Sequence, residues 1–202
     1  MPKSETNYLI RGFRAEMQRA LTPRLADPLY NSALAQLRAL LAENRNAEGK
    51  VPPLLKKHIL PAVAAYRAMC TAVPQEQALA VIRRLVTARA AGTNRLLRGL
   101  LRPPYFHRAA PYLMDELLTS AFHPEDGFQV RNYQVTGRDF YLDVLRCPYL
   151  DTCTAYGCPE LCSAFCPGHD AAYSGLHPKL HWRTAKTLAD GADCCDFALR
   201  VN

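Results

Sequence analysis

Apolar residues recur three and four positions apart at Ile10, Phe13, Met17 and Leu21, and again at Tyr30, Leu34, Leu37 and Leu41. That period gathers each set on one face of an α-helix. Asp27 and Pro28 precede the second stripe and predict its N-cap and first turn. Glu43 to Gly49 is polar and reads as a turn, and Pro52-Pro53 then lead into LLKKHILPAVAAYRAMC. Pro61 has no N–H to give a preceding carbonyl, so it predicts the start or a kink of a helix there. Gln75 to Ala91 continues helically with Leu79, Ile82 and Val86, and Gly92-Thr93-Asn94 predicts a break before RLLRGLLR.

Past residue 127 the pattern changes to β-branched and aromatic residues. FQVRNYQV and FYLDVLRCPY flank Thr136-Gly137-Arg138-Asp139 and predict a hairpin, and KLHWRTAKTL and CDFALRV flank Ala189 to Asp193 and predict a second. The fold class is therefore α+β: a helical N-terminal half, residues 1–120, followed by residues 121–202 with a small antiparallel sheet of two hairpins and a cysteine-bearing helix between them. At 202 residues the two regions suffice for one compact, well-cored domain.

Charge adds an asymmetry to this picture. Residues 1–120 hold 18 Lys and Arg against 8 Asp and Glu, and residues 121–202 hold 7 against 10, within a net charge of +7. A basic half can meet nucleic acid or an anionic substrate, although charge runs ordinarily sit in water. The arginines from Arg83 to Arg102 alternate with aliphatic residues and lack aromatic neighbours for base stacking, so the nucleic-acid signal is weak. The helical half is expected to serve packing and homo-oligomerisation. No run approaches the ~20 apolar residues of a membrane span and the first residues lack a signal-peptide core, so the expected location is cytoplasmic, with no membrane partner. In that compartment clustered cysteines mean metal or catalysis more often than disulfides.

Seven of the eight cysteines, and three of the six histidines, lie between Cys147 and Phe197. Cys158, Cys162 and Cys166 recur every four residues, with Pro159 suited to the first turn, which predicts a single helical stripe of sulfur that Asp170 extends if the helix passes Gly168. His169 would point about 100° away from Asp170 on such a helix. The run PELCSAFCPGHDAAY and, after it, HPKLHWRTAKTLADGADCCDFALR resemble the C-terminal signature of the L-2-amino-thiazoline-4-carboxylic acid hydrolase family. ILPAVAAYRAMCTAVPQEQALAVI upstream is similar in texture to that family's helical region, so that the resemblance covers residues 58–202. The matching positions are Cys147, Glu160, Cys166, Asp170, Arg183, Thr184, Thr187, Gly191, Cys195, Asp196 and Phe197.

What the resemblance implies is hydrolytic opening of a small cyclic isothiourea, L-2-amino-thiazoline-4-carboxylate, to a carbamoyl-cysteine. Such a reaction needs a nucleophile, a carboxylate to move protons and a cation for the substrate's own carboxylate. Cys166, Asp170, Cys195 and Asp196 are the catalytic candidates. Arg183, Thr184, Cys147 and Glu160 are the substrate-binding ones, with Arg183 as the carboxylate clamp. The plainer alternatives are that Asp196 bonds nearby backbone, that Arg183 is a surface strand residue, and that Cys162 and Cys194 are small buried apolar groups. A thiol mechanism requires no cofactor. Zinc is the competing expectation because soft ligands abound, but their intervals lack the Cys-x-x-Cys pairs of zinc ribbons, and the metal ligands stay unassigned. Two rivals follow: a relative that opens or forms another nitrogen or sulfur heterocycle in specialised metabolism, and a metal-stabilised nucleic-acid-binding module.

Overall fold

The computed structural model describes residues 8–44, 52 and 54–202, apart from the side chains of 8–10 and 132. Ile10, most of the expected turn from Glu43 to Gly49, and Pro53 lie outside what is described. The chain divides into two compact units, one formed by residues up to Val86 with Thr152–Phe165, the other by Thr87–Asp151 with Cys166–Asn202.

The first unit is helical. Phe13, Met17 and Leu21 are buried along and just past α1 (Tyr8–Ala20), as their spacing predicts. Helix α2 (Pro23–Glu43) starts four residues before the expected cap: Thr22 is its N-cap, Pro23 fills the first turn, and Pro28 lies inside. An earlier Thr-Pro pair meets the same steric requirement, and Pro28 then forfeits one backbone bond near the helix start. The buried stripe of α2 is also offset from the expected one, running through Ala26, Leu29, Ala33, Leu37 and Leu40. Alanines at two of those positions let α2 approach α3 (Leu60–Cys70), whose surface is buried apart from Arg67 and Cys70. A helix apolar almost all round is a core helix. Pro61 starts α3 after one π-helical turn at Leu55–Ile59, as its missing N–H dictates.

Helix α4 (Gln75–Leu101) runs unbroken through Gly92-Thr93-Asn94, contrary to the expected break. Two glycines cost about 1 kcal/mol each against alanine, but the neighbouring Ala, Arg and Leu are strong helix formers and no proline intervenes before Pro103. Asn94 also has a use: its Nδ2 donates to the carbonyls of Ala172 (3.0 Å) and Ser174 (2.8 Å).

In the second unit, α5 (Ala110–Ala121) precedes β1 (Gln129–Val135) and β2 (Asp139–Arg146), the first predicted hairpin; α6 (Pro148–Ala155) follows, and the division between the units falls within it, after Asp151. After α7 (Pro167–Tyr173) come β3 (Leu180–Thr184) and β4 (Cys195–Val201). The four strands are antiparallel to their neighbours in the order β1-β2-β4-β3. β3 ends at Thr184, so the second hairpin has a longer connection than expected, with a 3-10 turn at Leu188–Asp190. The α+β class holds, with the sheet at the C-terminal end of the chain.

Strand periodicity divides the sheet into two faces. Phe140, Leu142, Val144, Cys195, Phe197 and Leu199 are buried on the inner face, which the register aligns as Val144 with Cys195, Leu142 with Phe197 and Phe140 with Leu199. Leu180, Trp182 and Thr184 of β3 continue that face. The outer face carries Asp143 opposite Asp196, with Arg131 opposite Asp143 and Arg183 diagonal to Asp196. Arginines flank the two carboxylates on both sides, which offsets the like charges in register.

Candidate active site

The predicted sulfur stripe does not form. Pro159–Ala164 is a 3-10 turn capped by Cys158, and a separate helix, α7, begins at Pro167 with Cys166 as its N-cap. Pro167 has no N–H for the carbonyl of Ser163, which favours a break there, and the 3-10 geometry of Pro159–Ala164 takes Cys158, Cys162 and Cys166 off one α-helical stripe. Cys158 and Cys162 are buried in the first unit, and Cys166 belongs to the second.

A different set of thiols converges instead. The antiparallel register lays the end of β2 beside the start of β4, which brings Cys147, one residue past β2, towards Cys195. Cys166, at the start of α7, is near enough to Cys195 for its charge to act there. Burial pushes the Cys195 thiol up to about 12, the charge that Cys166, Cys147 and Cys194 would carry as thiolates pushes the same way, and the Leu188 N–H, 3.2 Å from the Cys195 sulfur, opposes it. Cys195 is therefore a protonated thiol at neutral pH. Cys147 and Cys166 are half-buried, Cys194 is buried, and none of the eight cysteines forms a disulfide.

Asp170 lies one helical turn beyond Cys166 and is exposed. Its Oδ1 accepts from the indole Nε1 of Trp182 at 2.8 Å and from the Thr184 hydroxyl at 3.1 Å. Both donors come from the inner face of β3. Trp182 is fixed in turn between Tyr173, 4.9 Å between centroids, and Phe197, 5.7 Å. His169 packs against Phe197 (5.0 Å) and Phe122 (5.6 Å). Burial drives the His169 imidazole below the ordinary histidine range, against the opposing influence of a bond to the Cys166 carbonyl and of the Asp170 charge. A neutral imidazole tied to the Cys166 backbone is a base that the sequence ranks below Asp170; the two are adjacent on α7 and point apart as the wheel predicts, and the wheel does not say which of the two directions faces Cys166. Trp182, the chain's single tryptophan, is a second group outside the sequence-derived set.

Arg183 and Asp196 point to the outer face, opposite Cys195, Trp182 and Thr184. Asp196 Oδ1 accepts from the backbone N–H groups of Ala185 and Lys186, both at 2.8 Å, and its Oδ2 lies 3.5 Å from the Arg183 guanidinium. At that distance the pair is loose, and Arg183 is 67% exposed. Asp196 holds the connection between β3 and β4 by backbone bonds. Glu160 lies in the first unit, where the Tyr66 hydroxyl donates to its Oε1. Burial, then the bonds to Glu160 and Cys70, pushes that phenol well up. Among the described residues no three His, Cys, Asp or Glu side chains adopt an arrangement that could hold a metal ion, and no helix is long and apolar enough to cross a membrane.

Residues 54–199 match the family model described as L-2-amino-thiazoline-4-carboxylic acid hydrolase. No curated protein and no solved structure matches the chain.

Proposed function

The chain belongs to the L-2-amino-thiazoline-4-carboxylic acid hydrolase family, and from that premise we propose that it opens the ring of L-2-amino-thiazoline-4-carboxylate or a close cyclic isothiourea through Cys166. The observation that carries this reading is that Asp170, one helical turn beyond Cys166 on α7, is held by Trp182 and Thr184 of β3, with Cys147 and Cys166 near enough to Cys195 for their charges to act on it.

The amidine carbon of such a ring is electrophilic when its nitrogen is protonated. Cys166 sulfur adds to that carbon, the ring carbon–sulfur bond breaks, and the departing sulfur takes a proton. Water then adds to the same carbon and expels Cys166, so one water is consumed and no atom is lost. Asp170, with Oδ1 fixed by two donors, presents Oδ2 for both proton transfers. Burial keeps His169 neutral and able to accept the Cys166 proton. Cys195, held as a thiol, is a poor nucleophile and serves as a weak donor beside the reacting sulfur. Asp196 and Arg183 support the loop after β3.

The test is incubation with racemic 2-aminothiazoline-4-carboxylate, read by mass spectrometry and by a thiol reagent. A product heavier by one water and bearing a new thiol is expected, and one without a new thiol would mean that the ring carbon–nitrogen bond breaks. Cys166→Ser is expected to fold and to lose on the order of 10³-fold in kcat, because serine without a strong base is a weak nucleophile. Asp170→Asn is expected to lose roughly 10²–10⁴-fold. If Cys166→Ser turns over normally while Asp170→Asn is inactive, water activated at Asp170 attacks directly.

A further inference from the structure

Between Glu76 and Asp115 the chain has seven arginines and neither an acidic residue nor a lysine. The same stretch is where large apolar side chains stand in water: Leu96 is 65% exposed, Leu100 52%, Tyr105 69% and Phe106 57%. At about 100° per residue the last turns of α4 carry three parallel stripes. Leu97 and Leu101 face inward and are buried, Leu96 and Leu100 form an apolar stripe beside them, and Arg95, Arg98 and Arg102 form the exposed outer stripe. Gly92 and Gly99 lie between leucines and arginines, and nothing lies within 4 Å of a Cβ built at either. Glycine inside a helix is costly, and its use on an open face admits the backbone of another element at close range.

Tyr105 caps this surface at the end of the Pro103-Pro104 turn. It is the one non-glycine residue among those described with a left-handed backbone, φ 71°, a conformation that costs energy and is commonly kept where a ligand is gripped. The Arg108 guanidinium lies 5.2 Å from its ring centre.

We propose that the C-terminal half of α4 and the Pro103 to Phe106 turn form a docking surface for an amphipathic helix of an acidic partner protein. The leucine stripe, one turn apart, fits the apolar face of such a helix, and the arginine stripe fits carboxylates along its edge. A protein is favoured over a lipid surface or a nucleic acid by the arginine-only composition next to exposed leucine and aromatic side chains. Guanidinium forks pair two-point with carboxylates and with phosphates alike, so the preference rests on the missing lysine, which is depleted at protein interfaces and common where attraction is to phosphate charge. Arginine and aromatic residues are those enriched at protein interfaces.

The experiment uses the full chain and a fluorescein-labelled synthetic peptide of about 20 residues, long enough to be helical in isolation when alanine-rich, with leucine along one face, glutamate along its edges and alanine and glutamine elsewhere, its helicity verified by circular dichroism, read by anisotropy. Binding at roughly 10–100 μM in low salt is expected, within the range of weak transient contacts. Leu96→Ser with Leu100→Ser, and separately Arg95→Glu with Arg98→Glu and Arg102→Glu, are each expected to weaken it at least about tenfold. A lysine-for-glutamate version of the peptide should not bind. These side chains are exposed, so the variants should keep the parent's melting temperature and its ring-opening rate, which makes the outcome independent of the hydrolase reading. Absence of peptide binding below about 1 mM, variants that bind like the parent, or tighter binding to phosphatidylglycerol vesicles or to a DNA duplex would each overturn the proposal.

Discussion

Trp182→Phe tests whether Asp170 acts because β3 holds it. The substitution keeps an aromatic ring between Tyr173 and Phe197 and removes, with the smaller ring of the indole, the N–H that donates to Asp170 Oδ1 at 2.8 Å. A hydrogen bond to a charged group contributes about 1.5–3 kcal/mol when buried. Asp170 is exposed, so about 1 kcal/mol is the sounder expectation here, and the 3.1 Å hydroxyl bond from Thr184 adds roughly half as much. If that energy holds the carboxylate in its productive orientation, Trp182→Phe should lower kcat/KM about fivefold. Trp182→Phe with Thr184→Val should lower it about tenfold or somewhat more, at about 1.4 kcal/mol per decade. The loss should appear in kcat, because the donors touch the proton-transfer group rather than the ligand. Rates would be followed by thiol release from 2-aminothiazoline-4-carboxylate, with far-UV circular dichroism and the melting temperature to verify the fold. A double variant with the parent's kcat/KM, alongside an inactive Asp170→Asn, would refute the idea that these two donors position Asp170.

Three shorter predictions complete the set. Arg183→Gln should change KM less than about threefold, since the guanidinium is on the outer face and loosely paired; a large KM rise at unchanged melting temperature would return Arg183 to the substrate. The folded-state pKa of His169 is lowered, so the folded state binds its proton less readily than the unfolded chain. The stability from its burial is present above the unfolded value of about 6.5 and is lost as pH falls below it. The melting temperature should therefore fall between pH 7 and pH 5, and His169→Gln should flatten that decline; an unchanged slope would mean that His169 is not the group responsible. Iodoacetamide should label Cys166 before the buried Cys153, Cys158 and Cys162, with substrate protecting it, as peptide mapping can read. Equal labelling with and without substrate would place the site elsewhere.

Local rules in the chain were enough for much of this fold. The period of three and four around Phe13 and Met17, the missing N–H of Pro61 and the alternation on either side of Thr136-Gly137 each act within a few residues, and the helices and first hairpin follow from them. The resemblance in the C-terminal third also singled out Cys147, Cys166 and Cys195, among other positions of the family's motif. Their convergence is another matter, because it depends on the alignment of Val144 with Cys195 and on the docking of α7 against β3. Neither is a property of neighbouring residues. Sequence placed Cys166 with Cys158 and Cys162 because four-residue spacing assumes an uninterrupted helix, and Pro167 interrupts it. It put Arg183 in the site because the substrate's carboxylate asked for a cation, while the pleat, turning alternate side chains to opposite faces, decided that Thr184 and Trp182 meet Asp170 and that Arg183 points away.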